Sequence, residues 1–358
     1  MRVLITGGTG SLGRALLPAL LADPGVTRVV VYARSESRQA ALAAELGAHP
    51  ALRWYLGDVR DRERLERAMW SCDAVIHAAA LKRVDSVADN PEEVRKTNVE
   101  GSAYVCAAAL AAGVQRVLLI SSDKAVAPAN VYGVTKAQME HEGVAFNAIS
   151  APQGTTVAVT RWGNVLGSTG SVLGLWRAAA AAGQPLPVTD PAMTRFWLTL
   201  KQAATFALAA LAALRGGEVL IPVLPAMQLG ALAEAVAPGW PIAVTGLRPG
   251  GEKRHEVLLT DEEATRTVAV TLAGGLEAWA VNPALHSWRA DVPWTGEPWP
   301  AGAVYRSDLV PRLSVAEMRE LLQADGKSGE AAEGFQPTPG GRRGAPGNPL
   351  KPLAGGSG

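Results

Sequence analysis

The sequence predicts an α/β fold in which a doubly wound parallel sheet carries a smaller, interleaved C-terminal substrate-binding lobe. Short apolar strands alternate with amphipathic helices from Arg2 to Thr160, a pattern typical of parallel strands joined by helical crossovers. The first strand runs directly into a glycine-rich turn that opens a helix. After Asn164 the alternation gives way to glycine-rich turns and proline-rich joints, which indicates a second region.

The glycine-rich turn follows the strand Arg2 to Thr6 and precedes a helix with leucines at helical spacing. Strand, turn and helix in this order form the Rossmann fingerprint for a dinucleotide. Gly7 permits the tight turn, Gly10 lets a pyrophosphate approach the backbone, and Gly13 lets the helix pack on the strand. The predicted phosphate-binding residues are Gly7, Thr9, Gly10, Ser11, Leu12 and Gly13.

The second strand, Arg28 to Tyr32, indicates which dinucleotide binds. An NAD site normally places a carboxylate after this strand to hold the ribose hydroxyls. Here Arg34 and Ser35 follow, and both suit a 2′-phosphate. The sequence therefore favours NADP, with NAD possible. The alternative is that Arg34 and Arg38 belong to a solvated helix start.

The next strands end in further candidate cofactor residues. Asp58, with Val59 beside it, follows the strand Leu52 to Leu56, and its carboxylate can accept from the adenine amino group. The strand Ala74 to His77 opens into three small residues and then Lys82 and Arg83 on a loop. A long helix is predicted from about Pro91 to Ala112. The cofactor-binding residues added by this part of the chain are Ala78, Ala79, Ala80, Lys82 and Asn98.

The stretch from Ser121 to Lys136 carries the chemistry. It follows a buried apolar strand, and Asn130 can cap a helix that begins near Val131. Tyr132 and Lys136 are four residues apart and so share one helix face. An ammonium beside a phenol lowers the pKa of the phenol, so the pair can move a hydroxyl proton. Asp123 and Lys124 add an acid and a base that a simple alcohol oxidation does not need.

The second region supplies candidate phosphate ligands. Arg195 and Arg248 lie in two unusual loops, and a guanidinium matches phosphate oxygens in a two-pronged way. A surface ion pair is the alternative for either one alone. The predicted division is a cofactor domain of residues 1–165 with 199–222 returning to it, a substrate lobe of 166–198 and 223–325, and a disordered tail of 326–358.

The overall composition excludes several classes of protein. The net charge of +1 gives no indication of a nucleic-acid partner, and no apolar run is long enough for a membrane span. The chain enters a strand within two residues, which leaves no room for a signal peptide. Cys72 and Cys106 fit no metal or redox spacing, and the histidines form no ligand cluster. We therefore expect a cytoplasmic protein without a metal.

Several motifs together resemble the extended short-chain dehydrogenase/reductase superfamily, and within it the inverting UDP-N-acetylglucosamine 4,6-dehydratases of polysaccharide biosynthesis and flagellin glycosylation. The resemblance covers about Arg2 to Leu322. Dehydratases of the ordinary type have glutamate after the aspartate, whereas Asp123-Lys124 is typical of the inverting group. The other markers are Ala79 to Lys82, Tyr132 to Lys136, Gly163 to Val165, Met193 to Trp197, Arg248 to Gly250, Ser307-Asp308 and Leu313 to Val315.

This resemblance implies a mechanism and a homo-oligomer. Tyr132, aided by Lys136, would take the C4 hydroxyl proton as hydride passes to NADP. Lys124, if neutral, would remove the C5 proton, and Asp123, if protonated, would protonate the departing C6 hydroxyl. Hydride would return to C6, and protonation from the opposite face would invert C5. Ser122 would bind the sugar, and the resemblance gives the other substrate ligands as Lys82, Asn164, Arg195, Arg248 and Glu252.

Three departures from the family pattern lie in or near the predicted substrate site. Thr169 replaces a usual arginine, Arg83 replaces a usual histidine, and Gly250-Gly251 lengthens a loop by one residue. They leave the cofactor chemistry intact and leave the identity of the sugar open. The alternatives to the dehydratase are a 4-epimerase, a 5,6-dehydratase or a non-catalytic NADP sensor. Asp123-Lys124 argues against the epimerase, which needs no C5 base, and the retained Tyr132 and Lys136 argue against the sensor.

Overall fold

The computed structural model of the chain describes residues 1–82, 89–248, 250–284 and 293–329, with side chains described as far as residue 324. Fourteen strands lie in these segments. They are β1 Arg2–Thr6, β2 Arg28–Ala33, β3 Leu52–Leu56, β4 Ala74–His77, β5 Arg116–Ile120, β6 Thr156–Thr160, β7 Asn164–Val165, β8 Leu186–Val188, β9 Thr194–Leu198, β10 Val219–Pro222, β11 Ala226–Gln228, β12 Ile242–Val244, β13 Thr267–Leu272 and β14 Leu276–Val281.

The α-helices of the described segments alternate with the strands. They are α1 Ser11–Ala22, α2 Glu36–Leu46, α3 Arg62–Met69, α4 Pro91–Arg95, α5 Gly101–Ala111, α6 Val131–Ser150, α7 Val172–Ala181, α8 Leu200–Ala213, α9 Leu229–Val236, α10 Asp261–Ala264 and α11 Val315–Gly329. Several begin at side-chain caps. Thr199 and Gln202 form a reciprocal capping box at α8, for example, so that two backbone amides of the first turn are satisfied.

The large sheet has nine strands in the order β13-β14-β10-β6-β5-β4-β1-β2-β3. The seven strands from β10 to β3 run parallel, and β14 and β13 add an antiparallel edge. The central strands are buried almost throughout, as expected when helices cover both faces. The predicted doubly wound fold is confirmed. The strand order reverses between β1 and β4, where ligands of such sheets bind.

The long helix predicted from Pro91 to Ala112 is interrupted. A π turn, Lys96–Glu100, lies between α4 and α5. Asn98 is in this turn, and its side-chain amide both donates to and accepts from the backbone of Leu81. A π turn inside a helix often marks a functional region. Periodicity alone could not reveal it, because the residues on either side keep helical spacing.

The smaller lobe has its own core. It contains the sheet β11-β9-β7, the pair β12-β8, and an apolar cluster that includes Trp176, Trp197 and Leu232. The hairpin β13–β14, however, pairs with β10 and so extends the large sheet. This differs from the sequence-based division, which places residues 223–325 in the lobe. The reason is that pairing partners distant in sequence leave no local signal.

The C-terminal helix α11 ends at Gly329, beyond the predicted boundary at residue 326. Residues 330–358 of the predicted disordered tail lie outside the described segments. Within those segments, no helix combines the length and apolar composition that crossing a bilayer requires. In the same segments, no group of histidine, cysteine and carboxylate side chains is arranged to hold a metal ion.

Candidate active site

The turn between β5 and α6 brings the predicted catalytic residues together. Ser122 precedes a 3₁₀ turn, Asp123–Ala125, and its hydroxyl accepts from the Lys124 amide at 3.2 Å. Asn130 caps α6 by accepting from the Gly133 amide at 2.9 Å, as predicted. A Cβ on Gly133 would lie 2.2 Å from the carbonyl oxygen of Lys124. Glycine is therefore needed here for α6 to pack directly against the turn.

Tyr132 and Lys136 both lie on the buried face of α6. The Lys136 ammonium donates to the Ile120 carbonyl at 2.6 Å, and burial lowers its pKa to about 8. Burial raises the pKa of Tyr132 to about 12, although Lys124 and a hydrogen bond with Ser122 lower it in part. The prediction that Lys136 lowers the Tyr132 pKa toward neutrality is therefore wrong for this structure, because desolvation of the phenolate outweighs the nearby cations.

Buried Asp123 and half-buried Lys124 form an ion pair. The Lys124 ammonium lies 3.0 Å from Asp123 Oδ1, which also accepts from the Ser122 hydroxyl at 2.8 Å. Asp123 is fully buried, and burial together with Glu256 raises its pKa. For Lys124, burial lowers the pKa, but Asp123 and Glu256 raise it further, so the ordinary value is exceeded. Asp123 and Glu256 thus favour the ammonium form of Lys124, while burial disfavours a carboxylate on Asp123, so the pair retains one proton.

Two residues of this cluster are absent from the sequence-based site. Glu256 is buried, and its carboxylate lies 3.4 Å from Lys124 Nζ and 2.9 Å from Lys253 Nζ. Lys253 in turn donates to the carbonyls of Asp123 and Val126 at 2.8 and 2.7 Å. Both residues belong to the charge-dense segment from Gly246 to Glu256 that the sequence singles out. Only a contact across more than a hundred residues connects that segment to Asp123.

A cleft runs from this cluster along the smaller lobe. Arg195 lies in it, buried, with its guanidinium 3.0 Å from Glu252. Arg248 is exposed at the rim, and Asn164 is half-buried with its Oδ1 lacking a hydrogen-bond partner. The structure thus brings the four predicted ligands of the lobe together. The lining residues are Lys124, Ala129, Asn130, Asn164, Val172, Thr189, Arg195, Trp197, Leu229, Arg248, Gly251, Glu252, Lys253 and Glu256.

The predicted cofactor loop lies at the carboxyl end of β1. Gly7 has a φ of +66°, and a Cβ there would lie 2.8 Å from the Ala79 amide nitrogen. A Cβ on Gly13 would lie 2.4 Å from the Gly8 carbonyl oxygen, so α1 packs tightly on the turn. The N-cap residue of α1 is Gly10, so no side chain caps the first amides of the helix, and the first turn contains no acidic residue. Thr9, Ser11 and Leu12 are half-buried beside it. Such a helix start fits a dinucleotide pyrophosphate.

The residues predicted from β4 and the helix after it lie on the other side of this loop. Ala78, Ala79 and Ala80 are half-buried, and the Ala78 amide donates to the Thr6 carbonyl at 3.2 Å. Lys82 is exposed. Asn98 is buried, and its amide also donates to Thr135 on α6 at 3.1 Å. The Asn98 side chain therefore holds the loop after β4 by hydrogen bonding to the backbone of Leu81. Its oxygen and its amide group are both used in these contacts.

The adenosine end of the predicted site follows β2 and β3. Arg34 is exposed, and Ser35 caps α2 by accepting from the Arg38 amide at 3.3 Å. Asp58 is paired with Arg60 at 2.8 Å, and its backbone carbonyl accepts from the Tyr32 hydroxyl at 2.8 Å. Val59 is buried against Gly101. Arg60 therefore already donates to the Asp58 carboxylate that the sequence predicts as an acceptor for the adenine amino group.

The departures from the family pattern can be placed in part. Thr169 contacts the glycine loop, since its amide donates to the Ser11 hydroxyl at 2.9 Å. Gly251, at a φ of +89°, packs on Ala129, and its carbonyl accepts from the Asn130 side chain at 3.0 Å. Gly251 therefore lets the charge-dense segment from Gly246 to Glu256 pack against the turn before α6. Arg83 and Pro249 lie outside the described residues.

Comparison with known proteins identifies the family. The model of a family described as polysaccharide biosynthesis protein matches residues 3–273. The chain belongs to this family. A relative from Campylobacter jejuni, named UDP-N-acetylglucosamine 4,6-dehydratase (inverting), is 41% identical over 266 residues, which cover 74% of this chain and 79% of that protein. The resemblance stated from the sequence motifs is confirmed.

Other members and structural neighbours widen the comparison. A protein from Rickettsia typhi named UDP-glucose 4-epimerase is 36% identical to this chain. The match covers 74% of this chain and 79% of the Rickettsia protein. The crystal structure of Pen from Bacillus thuringiensis superposes with a TM-score of 0.81 at 32% identity, covering 90% of this chain and 98% of Pen. DesIV, a dTDP-glucose 4,6-dehydratase from Streptomyces venezuelae with NAD and TYD bound, gives 0.63 at 25% identity, covering 70% and 86%.

Proposed function

We propose that this family member is an inverting UDP-N-acetylglucosamine 4,6-dehydratase. The observation that carries the proposal is the contact at 3.0 Å between half-buried Lys124 and fully buried Asp123, beside Tyr132. An acid and a base in contact, next to a phenol, match an elimination that follows oxidation of a neighbouring carbon. The relative from Campylobacter jejuni that bears this name supports the same reaction.

A nicotinamide dinucleotide fits the cradle formed by Gly7, Gly10 and the N-terminus of α1. When bound, it supplies reversible hydride transfer. The glycine loop would hold its pyrophosphate, and Ala78 to Ala80 would leave room for it above β4. We infer NADP rather than NAD, because the exposed Arg34 follows β2 at the place where an NAD site would have a carboxylate for the ribose hydroxyls.

The first task of the protein's own residues is to take the C4 hydroxyl proton. Tyr132 is the base in the proposal. Because burial raises its pKa, its phenol would first give its own proton to Lys136 and then, as the phenolate, take the C4 hydroxyl proton. Lys136, whose pKa is lowered to about 8, would pass the proton onward from the buried helix face. Ser122 would orient the sugar hydroxyl toward Tyr132.

The second task is elimination of water across C5 and C6. This step needs a neutral Lys124 to take the C5 proton and a protonated Asp123 to protonate the leaving hydroxyl. The observed ion pair holds the same single proton, so the active form requires only its transfer across 3.0 Å from Nζ to Oδ1. After elimination, Lys124 is again an ammonium and Asp123 a carboxylate. The pair thus begins and ends with one proton, and the departing water carries the other.

The cleft matches a nucleoside diphosphate sugar in charge. Four cationic side chains line it against two carboxylates, which gives two excess positive charges for the two negative charges of the diphosphate. In the proposal Arg195 and Arg248 bind the phosphates. Asn164 and Glu252 each have a buried oxygen without a hydrogen-bond partner, and these oxygens would accept from ligand hydroxyls after a small adjustment of the lining. Lys82 would reach the substrate from the opposite loop.

A UDP-sugar 4-epimerase is the second candidate, favoured by the similarity to the Rickettsia proteins. Epimerisation at C4 needs no C5 base and no C6 acid, so it gives the Asp123–Lys124 pair no task. We therefore place it below the dehydratase. The cytoplasmic location and the homo-oligomer stay predictions from the sequence.

Proton NMR of the protein incubated with UDP-N-acetylglucosamine in deuterated water tests the proposal. We expect a new C6 methyl signal, a 4-keto product and deuterium at C5, with ring couplings that report the inversion. A Lys124→Met variant is the matched control and should give none of these signals while still binding UDP. A galacto-configured sugar without a methyl group would establish the epimerase instead. No change in any UDP-sugar, despite bound cofactor, would overturn both.

A further inference from the structure

Glu256 is held rigidly at the point where the catalytic turn meets the cleft. It is 2% exposed, its amide donates to the Ser307 hydroxyl at 2.9 Å, and its carbonyl accepts from the Ser307 amide at 2.9 Å. The backbone is therefore fixed on both sides of the residue. A carboxylate buried this deeply is costly unless it has a specific counter-charge.

Three cations surround the Glu256 carboxylate. Lys253 Nζ lies at 2.9 Å, Lys124 Nζ at 3.4 Å and Arg195 Nε at 3.8 Å. Lys253 also donates hydrogen bonds to the carbonyls of Asp123, the first residue of the 3₁₀ turn, and of Val126, the residue after the turn. The carboxylate thus joins the proposed base, the proposed phosphate ligand and the backbone of the turn in a single network.

Glu256 completes the charge environment of Lys124. The groups that face the Lys124 ammonium are Asp123 on the same turn, Tyr132 on α6, Arg195 on β9, and Glu256 with Lys253 on the charged loop. Glu256 raises the pKa of Lys124 and also that of Asp123, because a carboxylate favours a cation and disfavours a second anion. Both effects act in the same direction: they retain the shared proton.

We propose that Glu256 is a positioning residue that holds Lys124 between two carboxylates and keeps one proton on the Asp123–Lys124 pair at working pH. This rests on the proposed function, because the pair has a catalytic task only in the elimination. Glu256 itself needs no contact with the sugar. Glu256 acts through Lys124. Lys253 and Arg195 weaken its effect on Lys124, because they neutralise part of the negative charge of the Glu256 carboxylate.

The test is the pH profile of kcat/KM for UDP-N-acetylglucosamine in the full-length, cofactor-loaded protein and its Glu256→Gln variant. The amide keeps the size of the side chain and removes its charge. We expect both limbs of the profile to move to lower pH by about 1–3 units, the usual effect of a charge at this distance. Glu263→Gln is the matched control. It removes a carboxylate from the Arg161 pair, away from Lys124, and should leave the limbs in place.

A second variant reverses the sign. Lys253→Met removes a counter-charge from Glu256, so both limbs should move to higher pH. A structural role would lower thermal stability in either variant but would not give opposite shifts. Should E256Q fail to fold, the Lys253→Met shift alone decides. Limbs that stay at the wild-type pH in the folded variants would overturn the inference.

UDP binding by calorimetry gives a readout that does not depend on turnover. E256Q leaves one more positive charge in the cleft, so UDP should bind more tightly, by about tenfold for a charge at this range in a partly solvated site. Equal or weaker binding would count against the role of Glu256. Wild-type protein that neither binds UDP nor forms product would instead refute the proposed function.

Discussion

The cofactor cradle and the catalytic cleft are built from opposite materials. The cradle consists of backbone and small residues: Gly7, Gly13 and the alanines after β4. The cleft region is built from charged side chains: Lys124 lies 3.0 Å from Asp123 and 3.4 Å from Glu256, and Arg195 lies 3.8 Å from Glu256. In the proposed function, the cradle binds the dinucleotide through close approach of backbone amides, and the cleft acts through the protonation of its side chains.

This difference determines how each region tolerates change. In the cradle, an added methyl group is damaging because space is the limiting quantity. In the cleft, an isosteric change that removes one charge is damaging because the remaining buried charges lose their partner. Shape-conserving and charge-conserving substitutions should therefore have opposite consequences in the two regions.

The largest expected effect is in the cleft. Asp123→Asn keeps the shape of the side chain but cannot protonate the C6 hydroxyl, so product formation should fall by about 10²–10⁴-fold, the usual contribution of a general acid. The measurement is the rate of methyl-group appearance by NMR. Asp190→Asn, which changes a carboxylate of the smaller lobe paired with the exposed Arg254, is the control and should keep most of the activity. Near wild-type activity in D123N would show that Asp123 is not the general acid.

The next effect is in the cradle. Gly7→Ala introduces the left-handed strain of alanine, about 1–2 kcal/mol, and also a Cβ at 2.8 Å from the Ala79 nitrogen. Gly113→Ala is the matched control, because its φ of +70° is similar and nothing lies within 4 Å of the new Cβ. Both variants should lose the stability that the left-handed strain costs, and G7A should lose more because of its close contact with Ala79. Only G7A should weaken NADP binding, by about tenfold for each 1.4 kcal/mol that the loop shift costs the complex. Equal dinucleotide affinity in the two would show that close approach is not required.

The contrast also explains what the sequence could predict. The cradle is local: strand, glycine turn and helix follow one another, so Gly7, Gly10 and Gly13 could be assigned their roles directly. The cap Asn130 and the helix of Tyr132 and Lys136 were predictable for the same reason. The doubly wound sheet followed from the alternation of elements, although the edge hairpin β13–β14 did not, because its pairing with β10 is long-range.

The cleft was only partly predictable. Side-chain chemistry indicated Arg195 and Arg248, and the family resemblance added Glu252. Glu256 and Lys253 were missed because their partners, Lys124 and the Asp123 carbonyl, are more than a hundred residues away. The direction of the Tyr132 pKa was wrong for a related reason. Spacing on a helix places Lys136 near Tyr132, but it does not reveal how completely the phenol is buried. Burial is a property of the whole fold.

A smaller effect concerns the choice of cofactor. Arg34→Ala should lower the affinity for NADP by about tenfold, a typical value for one charged hydrogen-bonding group, and leave NAD affinity unchanged. Arg38→Ala is the control, because Arg38 is also exposed and its backbone amide already serves the Ser35 cap. Titration of both dinucleotides against each variant measures the preference. A loss of NADP affinity in R38A as large as in R34A would point to general surface charge instead of a 2′-phosphate contact.

The smallest effect tests whether the interior beneath the cradle is uncharged. His77 is buried between Thr6 at 2.7 Å and Ser102 at 2.9 Å, and burial lowers its pKa to about 3. The Ser102 hydroxyl donates to the Asn98 carbonyl, so it accepts from His77 Nε2, and Nδ1 accepts from Thr6. In this arrangement both ring nitrogens of the neutral imidazole are satisfied, and a second ring proton has no acceptor.

The consequence is a defined dependence of stability on pH. Between pH 3 and the ordinary histidine value near 6.5, the unfolded chain binds a proton at this site and the native protein does not. The free energy of unfolding should therefore fall by about 1.4 kcal/mol per pH unit below 6.5 from this residue alone. Denaturant unfolding between pH 7.5 and 5.5 measures the slope. His77→Gln should be less stable at pH 7.5 but have a shallower slope, whereas the exposed His141→Gln should keep the wild-type slope. An unchanged slope in H77Q would mean that the site beneath the cradle accepts a charge, and the contrast with the charged cleft would then not extend below the binding surface.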